Sequence, residues 1–486
     1  MVIAAPDKRA IRVTEGNIRN SSISVAGLYS FFPPDCYGEP SKGKGAGKPI
    51  RILLDGLDRT IETDIGREAK TGKPRRQFRA RKWVKEFFRH HDVRAGDLLE
   101  LQRVDTREYV MRLVSHPTMR AVEFFAGIGL VRLALERQGF RVVFANDIDP
   151  NKFEIYRANF AEDDFLLGDI HELSEDQIPD CELVTASFPC TDLSIAGEMK
   201  GLNSGESSAF WGLIRILKDM DARRPQLVLL ENVPGFLMSH GGRDFESALL
   251  AMNELGYAVD AFFLDAACFV PQSRLRLFVV GKQAPSGQSV FGLTASALRP
   301  ETLVQFMNAH PEITWDIHDL PPPPAREVSL ESILEDLPDD HPAWWNQERS
   351  AYFMNQLSER HLAVADKMIQ QRVISFGTAF RRVRNCRSMA ELRTDGVAGC
   401  LRTPKGGSGR QILFKAGKGR YQVRLLTARE CARLQGVPDS YVVPVPLNQA
   451  LFGFGDAVCV PAIEWIAKQY LAPLGSKLPD QVEAYR

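Results

Sequence analysis

Two side chains capable of covalent chemistry stand directly after apolar runs of this sequence, where strands of a sheet would end. Cys190 closes the run Ala-Ser-Phe-Pro-Cys, and Glu231 follows the apolar residues 227–230. Pro189 lacks a backbone donor and keeps the residue before it extended, which suits a strand that turns its next side chain into a cleft. A thiol becomes a nucleophile when a helix end or an arginine stabilises the thiolate. The pair predicts covalent catalysis, although a lone cysteine in such a place is more often structural.

The elements that would position these side chains alternate along the chain from Ala121 onward. Apolar runs predict strands at residues 121–125, 140–145, 183–187, 227–230, 258–264 and 275–280, and helical spacing predicts helices at 130–138, 150–160 and 209–220. This alternation predicts an α/β domain with a mostly parallel sheet and helices on both faces. The composition after Gly281 is irregular, and residues 423–471 are expected to return as helices that close on the sheet.

The loop after the first predicted strand has the features of a nucleotide site. Gly127 and Gly129 let a ligand approach the backbone at the start of a helix. Asp147 ends the second strand about 20 residues later, where an acid takes the hydroxyls of a ribose, and Asp169 follows the third strand. A tight turn with two capping aspartates explains the same residues. The third glycine of the dinucleotide fingerprint is missing, so a mononucleoside cofactor such as S-adenosylmethionine fits better than a dehydrogenase cofactor.

Composition and charge narrow the class of protein. The 486 residues are 44% hydrophobic and 25% charged, which suits two or three folded domains. Because 61 basic residues balance 61 acidic ones, binding to a polyanion depends on local clusters, such as the ten basic residues between Arg67 and Arg89. The eight cysteines lack Cys-x-x-Cys spacing, so we expect no metal site. We also expect no signal peptide, no apolar run of roughly 20 residues and a reducing cytoplasm.

Five motifs follow one another in an order that points to a known family. They are Phe-Phe-Ala-Gly-Ile-Gly at 124–129, Ser-Phe-Pro-Cys at 187–190, Glu-Asn-Val at 231–233, Gln-Ser-Arg-Leu-Arg at 272–276, and Leu-Thr-Ala-Arg-Glu-Cys-Ala-Arg-Leu-Gln-Gly at 426–436. In this order the chain resembles DNA (cytosine-5) methyltransferases. The resemblance spans residues 120–471 with a variable interruption from 282 to 400, and it does not extend to the first 115 residues.

The resemblance implies roles for four catalytic residues. The Cys190 thiolate would add to C6 of cytosine while Glu231 hydrogen-bonds or protonates N3, so that C5 can attack the sulfonium methyl group. Arg276 resembles the arginine that contacts the base O2, and Arg274 the one beside it, so both are expected to stabilise developing negative charge. Because a base inside a duplex is out of reach, the cytosine would be flipped out, with residues 194–205 as the closing loop.

The same resemblance implies a pocket for S-adenosylmethionine. Phe125 would pack on the cofactor, Asp147 would hold its ribose, and Asp169 would accept from the adenine amino group. The full expected set is Phe125, Ala126, Gly127, Gly129, Asp147, Ile148, Asp169, Ile170, Pro189, Asp456, Ala457 and Val458. Two residues depart from the family pattern, since Asp456 stands where Asn is usual and Thr191 where many members have Gln.

The predicted fold is a Rossmann-like methyltransferase sheet of the α/β class with two additions. The catalytic domain is expected at residues 119–282 and 411–475, a variable target-recognition region at 283–410, and a mainly β (α+β) domain at 1–115. In the variable region the basic residues expected near DNA are Arg381, Arg382, Arg384, Arg387, Arg402, Lys405 and Arg410. The segment 78–97 resembles B3-type DNA-binding pseudobarrels, although a solvated basic helix face explains it equally well.

The resemblance therefore predicts a DNA (cytosine-5) methyltransferase that acts on a specific sequence of double-stranded DNA. As the modification enzyme of a bacterial restriction system it would be a cytoplasmic monomer, and any cognate endonuclease would not be a stable subunit. Two alternatives stay open. One is a tRNA cytosine-5 methyltransferase of the same fold, and the other is a catalytically silent DNA-binding protein. The intact Cys190, Glu231 and arginine pair disfavour the silent protein.

Overall fold

Residues 8–26, 28–39, 45–57, 59–91, 93, 97–115, 119–160, 164–189, 209–283, 292–384, 386–403 and 409–475 are described in the computed structural model. The chain divides into two units between residues 118 and 119, and we describe each by itself.

The first unit is built on a five-stranded sheet and a basic helix. Its elements are β1 (Lys8–Arg12), α1 (Glu15–Asn20), β2 (Tyr37–Gly38), β3 (Ile50–Leu54), β4 (Arg59–Thr63), β5 (Ile65–Gly66), α2 (Lys82–His90), β6 (Leu98–Asp105) and β7 (Glu108–Ser115). The sheet order is β1-β6-β7-β3-β4, and β2 pairs with β5 in a small parallel ladder. Helix α2 buries Trp83, Val84, Phe87 and Phe88, because residues three and four apart share one helix face.

The second unit contains a seven-stranded sheet that carries the motifs. Its strands are β8 (Arg120–Phe124), β9 (Arg141–Asp147), β10 (Phe165–Leu167), β11 (Leu183–Ala186), β12 (Leu227–Asn232), β13 (Ala258–Asp265) and β14 (Leu275–Lys282). The order is β10-β9-β8-β11-β12-β14-β13, with parallel pairing from β10 to β12 and antiparallel pairing on both sides of β14. The α/β, mostly parallel sheet expected from the sequence is confirmed.

Helices cover both faces of this sheet. Those between the strands are α3 (Leu130–Arg137), α4 (Pro150–Arg157), α5 (Ala209–Asp219) and α6 (Arg243–Glu254). Successive strand residues enter different hydrophobic clusters: Ala121 joins the cluster of α3, whereas Val122 joins that of α5 and α6. Because side chains alternate across a strand, the two clusters are the cores on the two faces of the sheet.

The region after the sheet is more regular than its composition indicates. It contains α7 (Glu301–Ala309), α8 (Leu330–Ile333), α9 (Gln347–Asn355), α10 (Glu359–Gln370), β15 (Ser375–Arg384), β16 (Arg387–Arg393), β17 (Ile412–Gly417) and β18 (Arg420–Leu425). The four strands form one antiparallel sheet of order β16-β15-β17-β18. The proposed boundary at residue 410 therefore falls within this sheet, and residues 423–425 belong to a strand rather than to a helix.

The last helices return to the methyltransferase sheet. They are α11 (Ala428–Leu434), α12 (Leu447–Asp456), α13 (Val460–Ile466) and α14 (Ala472–Gly475), with a π-helical turn at Ala467–Leu471. The stretch Leu447–Leu474 is long and apolar enough to cross a membrane. The sequence prediction missed this stretch because Asp456, Glu464 and Lys468 interrupt its apolar residues. Most of that stretch is buried, and α13 packs against α3 in the core, so its apolar side chains have a place inside the fold.

Candidate active site

Several of the predicted site residues that the structure describes lie along one edge of the seven-stranded sheet. Strand β11 lies between β8 and β12 in parallel register, so Ala186 stands opposite both Phe124 and Leu230. The chain leaves these three strands at the same level. The loop after Phe124, the segment leading to Cys190, and Glu231 are therefore neighbours, as expected for the carboxyl ends of parallel strands.

The glycine loop between β8 and α3 is tied to the next strand by its backbone. The Ala126 amide donates to the Asn146 carbonyl at 2.9 Å, and the Gly127 amide donates to Asp147 Oδ2 at 2.8 Å. Phe125 and Gly127 both have φ of 56°, in the left-handed region. A Cβ added to Gly127 would meet no atom closer than 3.9 Å, so this position opens onto space that a ligand can fill.

Gly129 serves the fold rather than the ligand. Its φ is 80°, and a Cβ there would lie 2.5 Å from Cε2 of Phe160. The absence of a side chain lets the start of α3 pack directly on that ring. We therefore place Gly129 with the residues that shape the loop, whereas Gly127 has open space where its side chain would be.

The acids that end β9 and β10 keep acceptor capacity for a nucleoside. Asp147 accepts from the Gly127 and Asp149 amides with different oxygens, and each carboxylate oxygen has a second lone pair. Asp169 caps the turn Ile170–Glu172 by accepting from the His171 amide at 2.9 Å. Ile170, which was predicted to bind the cofactor, is 4% exposed and packs in the hydrophobic core of the sheet.

Ile148 is the clearest surface signal of a ligand at this edge. It follows the buried Asp147, yet 64% of it is exposed. A large apolar side chain beside a buried carboxylate suits a nucleoside, whose base offers an apolar face and whose ribose offers hydroxyl donors. The open Gly127 position and the spare lone pairs of Asp147 fit the same group, so the residues present fit S-adenosylmethionine.

The predicted nucleophile, Cys190, lies outside the described residues, as do Thr191 and the predicted loop at 194–205. The structure does describe the two residues before it. Phe188 is buried against the rings of Phe210 and Phe236, and its carbonyl accepts from Asn232 Nδ2 at 3.3 Å. Asn232 thus ties the end of β12 to the backbone that leads into Cys190. The Glu-Asn-Val motif contained this signal, but the sequence interpretation gave Asn232 no role.

Glu231 and Arg276 form an ion pair at the end of β12. Glu231 is 7% exposed, and Arg276 Nε lies 2.9 Å from its Oε1. The partner strand β14 is antiparallel to β12, which brings the Gln-Ser-Arg-Leu-Arg motif back to the edge that carries Glu231. The structure therefore brings two of the four predicted catalytic residues into direct contact, with a carboxyl group and a guanidinium next to the Cys190 strand end.

Arg274 is buried beside Arg276, and its guanidinium is bonded mainly to backbone carbonyls. It is 3% exposed, and its guanidinium donates to the carbonyls of Leu401, Gly455 and Ala457 at 2.9, 3.1 and 2.6 Å. These bonds tie its guanidinium to the backbone on both sides of Asp456, and the charges of Arg276 and Glu231 also act on it. The paired spacing in the motif suggested equal roles, but one side chain of the pair braces the fold and the other faces the carboxylate.

Cys400 lies between the two arginines and was not singled out from the sequence. Its Sγ is 3.3 Å from Arg274 Nη1 and 4.0 Å from Arg276 Nη2. Burial alone would raise the pKa of Cys400, but the charges of Arg274, Arg276 and Arg402 hold it below its ordinary value. The sulfur is therefore an acceptor for the arginine pair.

Two buried glutamines connect motifs that are far apart in the sequence. Gln272 Nε2 donates to the Leu434 carbonyl at 2.8 Å, and its Oε1 accepts from the Leu401 amide at 2.9 Å. Gln435 Nε2 donates to the carbonyls of Phe454 and Ala457 at 2.8 and 3.2 Å. Val458 is buried behind this junction. The backbone of the Asp456–Val458 segment is thus positioned by side chains from two distant motifs.

Comparison with known proteins identifies the family. Residues 119–472 match the family model described as C-5 cytosine-specific DNA methylase. The chain belongs to this family. It is 31% identical over 355 residues to the type II methyltransferase M.DsaV of Dactylococcopsis salina, covering 73% of this chain and 86% of that one.

Two further similarities, to a relative and to a solved structure, cover nearly the same share of this chain. The type II methyltransferase M.HhaI of Haemophilus parahaemolyticus is 29% identical over 351 residues, covering 72% of this chain and 93% of that one. The solved structure of S. pombe Dnmt2 methyltransferase covers 73% of this chain and 99% of its own, with a TM-score of 0.49 and 20% identity. As a member of the family, the chain is a DNA cytosine-5 methyltransferase that uses S-adenosylmethionine, with the fold expected from its motifs.

Outside this site, the described residues include one group with ligand types that a metal can use. Glu246, His310 and Glu312 place ligand atoms within 4.8 Å of one another. Glu312 is exposed and the other two are partly exposed, and acidic clusters of this kind are common on protein surfaces. No residue of the methyltransferase site belongs to the group.

Proposed function

We propose that this methyltransferase modifies a cytosine flipped out of a specific double-stranded DNA sequence, through a covalent adduct with Cys190. The observation that carries the proposal is the Glu231–Arg276 ion pair at 2.9 Å, on the strand next to the one that leads into Cys190. A buried carboxyl group beside a guanidinium suits the N3 and O2 edge of cytosine, which offers an acceptor that can be protonated and a carbonyl oxygen.

The residues then divide the chemistry among them. Cys190 adds to C6 of the base, while Glu231 donates a proton at N3 and Arg276 neutralises charge at O2, so that C5 becomes nucleophilic. Asn232 holds the backbone before Cys190 through the Phe188 carbonyl. When bound, S-adenosylmethionine supplies an electrophilic methyl group. Transfer of the C5 proton to a base and return of the N3 proton to Glu231 restore the aromatic ring and release the Cys190 thiolate.

We assign sequence recognition to the region 283–410, and within it to the hairpin of β15 and β16. Val383 near its tip is 71% exposed, and Arg387 is exposed as well. Arg384 pairs with Glu391 at 2.6 Å. Arg381 is turned away from the tip, because it donates to Gln356 and lies over the Trp345 ring. The predicted Lys405 and the glycines beside it lie outside the described residues.

The first unit is proposed as a second DNA contact. Nine of the ten basic residues between positions 67 and 89 are exposed, namely Lys70, Lys73, Arg75, Arg76, Arg79, Arg81, Lys82, Lys85 and Arg89. An open cavity of about 510 Å³ is lined by Arg12, Asn17, Arg76 and Gln77, which are side-chain types that contact phosphates and base edges. Likeness to B3-type pseudobarrels stays a prediction. Unchanged DNA affinity and salt dependence after deletion of residues 1–115 would rule this role out.

The biological setting follows from relatives named as type II methyltransferases. We propose that the protein is a cytoplasmic bacterial modification enzyme that works as a monomer on double-stranded DNA. A cognate restriction endonuclease would act on the same sequence without forming a stable subunit. One flipped base and one site require no symmetric partner.

The adduct gives a direct test of the reaction. Duplex DNA in which 5-fluorocytosine replaces the target cytosine should form a complex with the wild-type protein and S-adenosylmethionine that survives denaturation, because the fluorine blocks loss of the C5 substituent. Cys190→Ala should form none, and Glu231→Gln should form it at least 100-fold more slowly. Competition by tRNA, but not by unlabelled duplex, would favour the RNA alternative. Cofactor binding without any adduct would favour the silent DNA-binding protein.

A further inference from the structure

An ion pair between Lys152 and Asp456 lies beside the glycine loop. Lys152 is in the first turn of α4, and Asp456 is the last residue of α12. Lys152 Nζ is 2.8 Å from Asp456 Oδ2, with side-chain exposures of 18% and 46%. The Lys152 stem passes Gly127, since its Cδ would be 3.9 Å from a Cβ added there. The pair is therefore at the open side of the loop assigned to the cofactor.

The charges around Lys152 keep it protonated. Burial alone would lower its pKa, but the charges of Asp456 and Asp147, with a hydrogen bond to Asp456, raise the pKa above the ordinary value. One ammonium here faces Asp147, Asp149 and Asp456. A ligand that brings a carboxylate to this loop needs a cation to receive it, and Lys152 is in place to do so.

We propose that Lys152 and Asp456 bind the amino-acid end of S-adenosylmethionine, a proposal that rests on the proposed cofactor site. That end is a zwitterion, with an α-carboxylate and an α-ammonium group on one carbon. Lys152 receives the carboxylate, and Asp456 receives the ammonium. The two side chains pair with each other in the free protein and exchange this contact for the matching charges of the cofactor, so both stay neutralised.

This pairing also accounts for a departure from the family pattern. Asn is usual where this chain has Asp456. An exposed aspartate beside the buried Asp147 would add a second negative charge to the loop, and Lys152 offsets it at hydrogen-bond distance. The contact joins α4 to α12, two helices that are far apart in the sequence.

Equilibrium binding of two probes by titration calorimetry tests the proposal. S-adenosylhomocysteine carries the amino-acid end, whereas 5′-methylthioadenosine lacks it. Lys152→Met should weaken S-adenosylhomocysteine binding about 10- to 100-fold, and Asp456→Asn about 3- to 10-fold, because charge-assisted hydrogen bonds are lost. Binding of 5′-methylthioadenosine should change less than about twofold. Arg157→Met, which removes a cation paired with Glu154 on the same helix, is the matched control and should change neither affinity.

The outcomes separate this inference from the function on which it rests. If the wild-type protein binds S-adenosylhomocysteine and Lys152→Met binds it equally well, the inference is wrong and the cofactor site stands. Equal weakening of both probes would also overturn it, since the effect would then be on the pocket as a whole. Failure of the wild-type protein to bind either probe would overturn the cofactor site and the inference together.

Discussion

Glu123, in the middle of the methyltransferase sheet, should make this unit less stable as the pH rises. Its side chain is 2% exposed on β8, and among the described residues its Oε2 has no hydrogen-bond partner. Burial raises the pKa of Glu123 from 4.5 to about 8, although the charge of Arg132 opposes the shift. The folded protein therefore keeps a proton that the unfolded chain has already lost at neutral pH.

The sign and size of the effect follow from that difference. The stabilising contribution is complete below pH 4.5 and is lost as the pH rises through about 8. Over the whole interval the loss amounts to about 5 kcal/mol, at 1.36 kcal/mol per pH unit, and between pH 6 and 8 it amounts to about 2 kcal/mol, because the folded group itself begins to ionise near pH 8. Glu123→Gln cannot ionise, so its stability should lack this slope.

Urea unfolding, monitored by hydrogen exchange in peptides from β8 and α3, measures the effect in the full-length protein. The advantage of Glu123→Gln over wild type should grow by about 2 kcal/mol from pH 6 to pH 8. Glu154→Gln, on the exposed face of α4, is the control for the Glu-to-Gln substitution itself. Parallel pH curves for wild type and Glu123→Gln would refute the reasoning, because the buried carboxyl group would then ionise normally.

Three further predictions separate positioning residues from reacting ones. Arg274→Met should destabilise the fold by about 2–4 kcal/mol in urea unfolding, since three carbonyls lose their donor, whereas Arg276→Lys should keep the stability and lower kcat about 100-fold. Gly129→Ala should cost about 2–4 kcal/mol of stability, because its Cβ would overlap a ring, while Gly127→Ala should cost about 1 kcal/mol and weaken S-adenosylhomocysteine binding at least tenfold. Asn232→Ala should lower kcat about 10- to 100-fold with unchanged S-adenosylhomocysteine affinity. The arginine prediction fails if both variants lose stability and activity to the same extent. The glycine prediction fails if both variants lose stability and affinity to the same extent. The Asn232 prediction fails if kcat and S-adenosylhomocysteine affinity fall together.

The sequence predicted the parts of the molecule that depend on local pattern. Apolar runs located β8, β9, β11 and β12, and the residues that follow these runs lie along one edge because parallel strands end together. Glu231 was placed correctly at the end of its strand. The buried acid of Glu123 was not singled out, since a single charge in an apolar run gives no sign of its protonation.

Contacts between distant segments could not be predicted in the same way. Arg274 and Arg276 have identical side chains two residues apart. Their different roles depend on contacts with distant segments, since Arg274 donates to the Leu401 and Ala457 carbonyls and Arg276 pairs with Glu231. Likewise, the arginines of β15 interrupt its apolar alternation, so the four-stranded sheet was not predicted. Lys152 carried no signal, because its partner Asp456 is on another helix near the end of the chain.

Methyl transfer from labelled S-adenosylmethionine to unmethylated genomic DNA, followed by bisulfite sequencing, tests the central claim most directly. We expect label on DNA with the wild-type protein, none with Cys190→Ala, and protected cytosines at one recurring sequence. Label on tRNA alone, label retained by Cys190→Ala, or no label on DNA despite cofactor binding would contradict covalent methylation of DNA cytosine at this site.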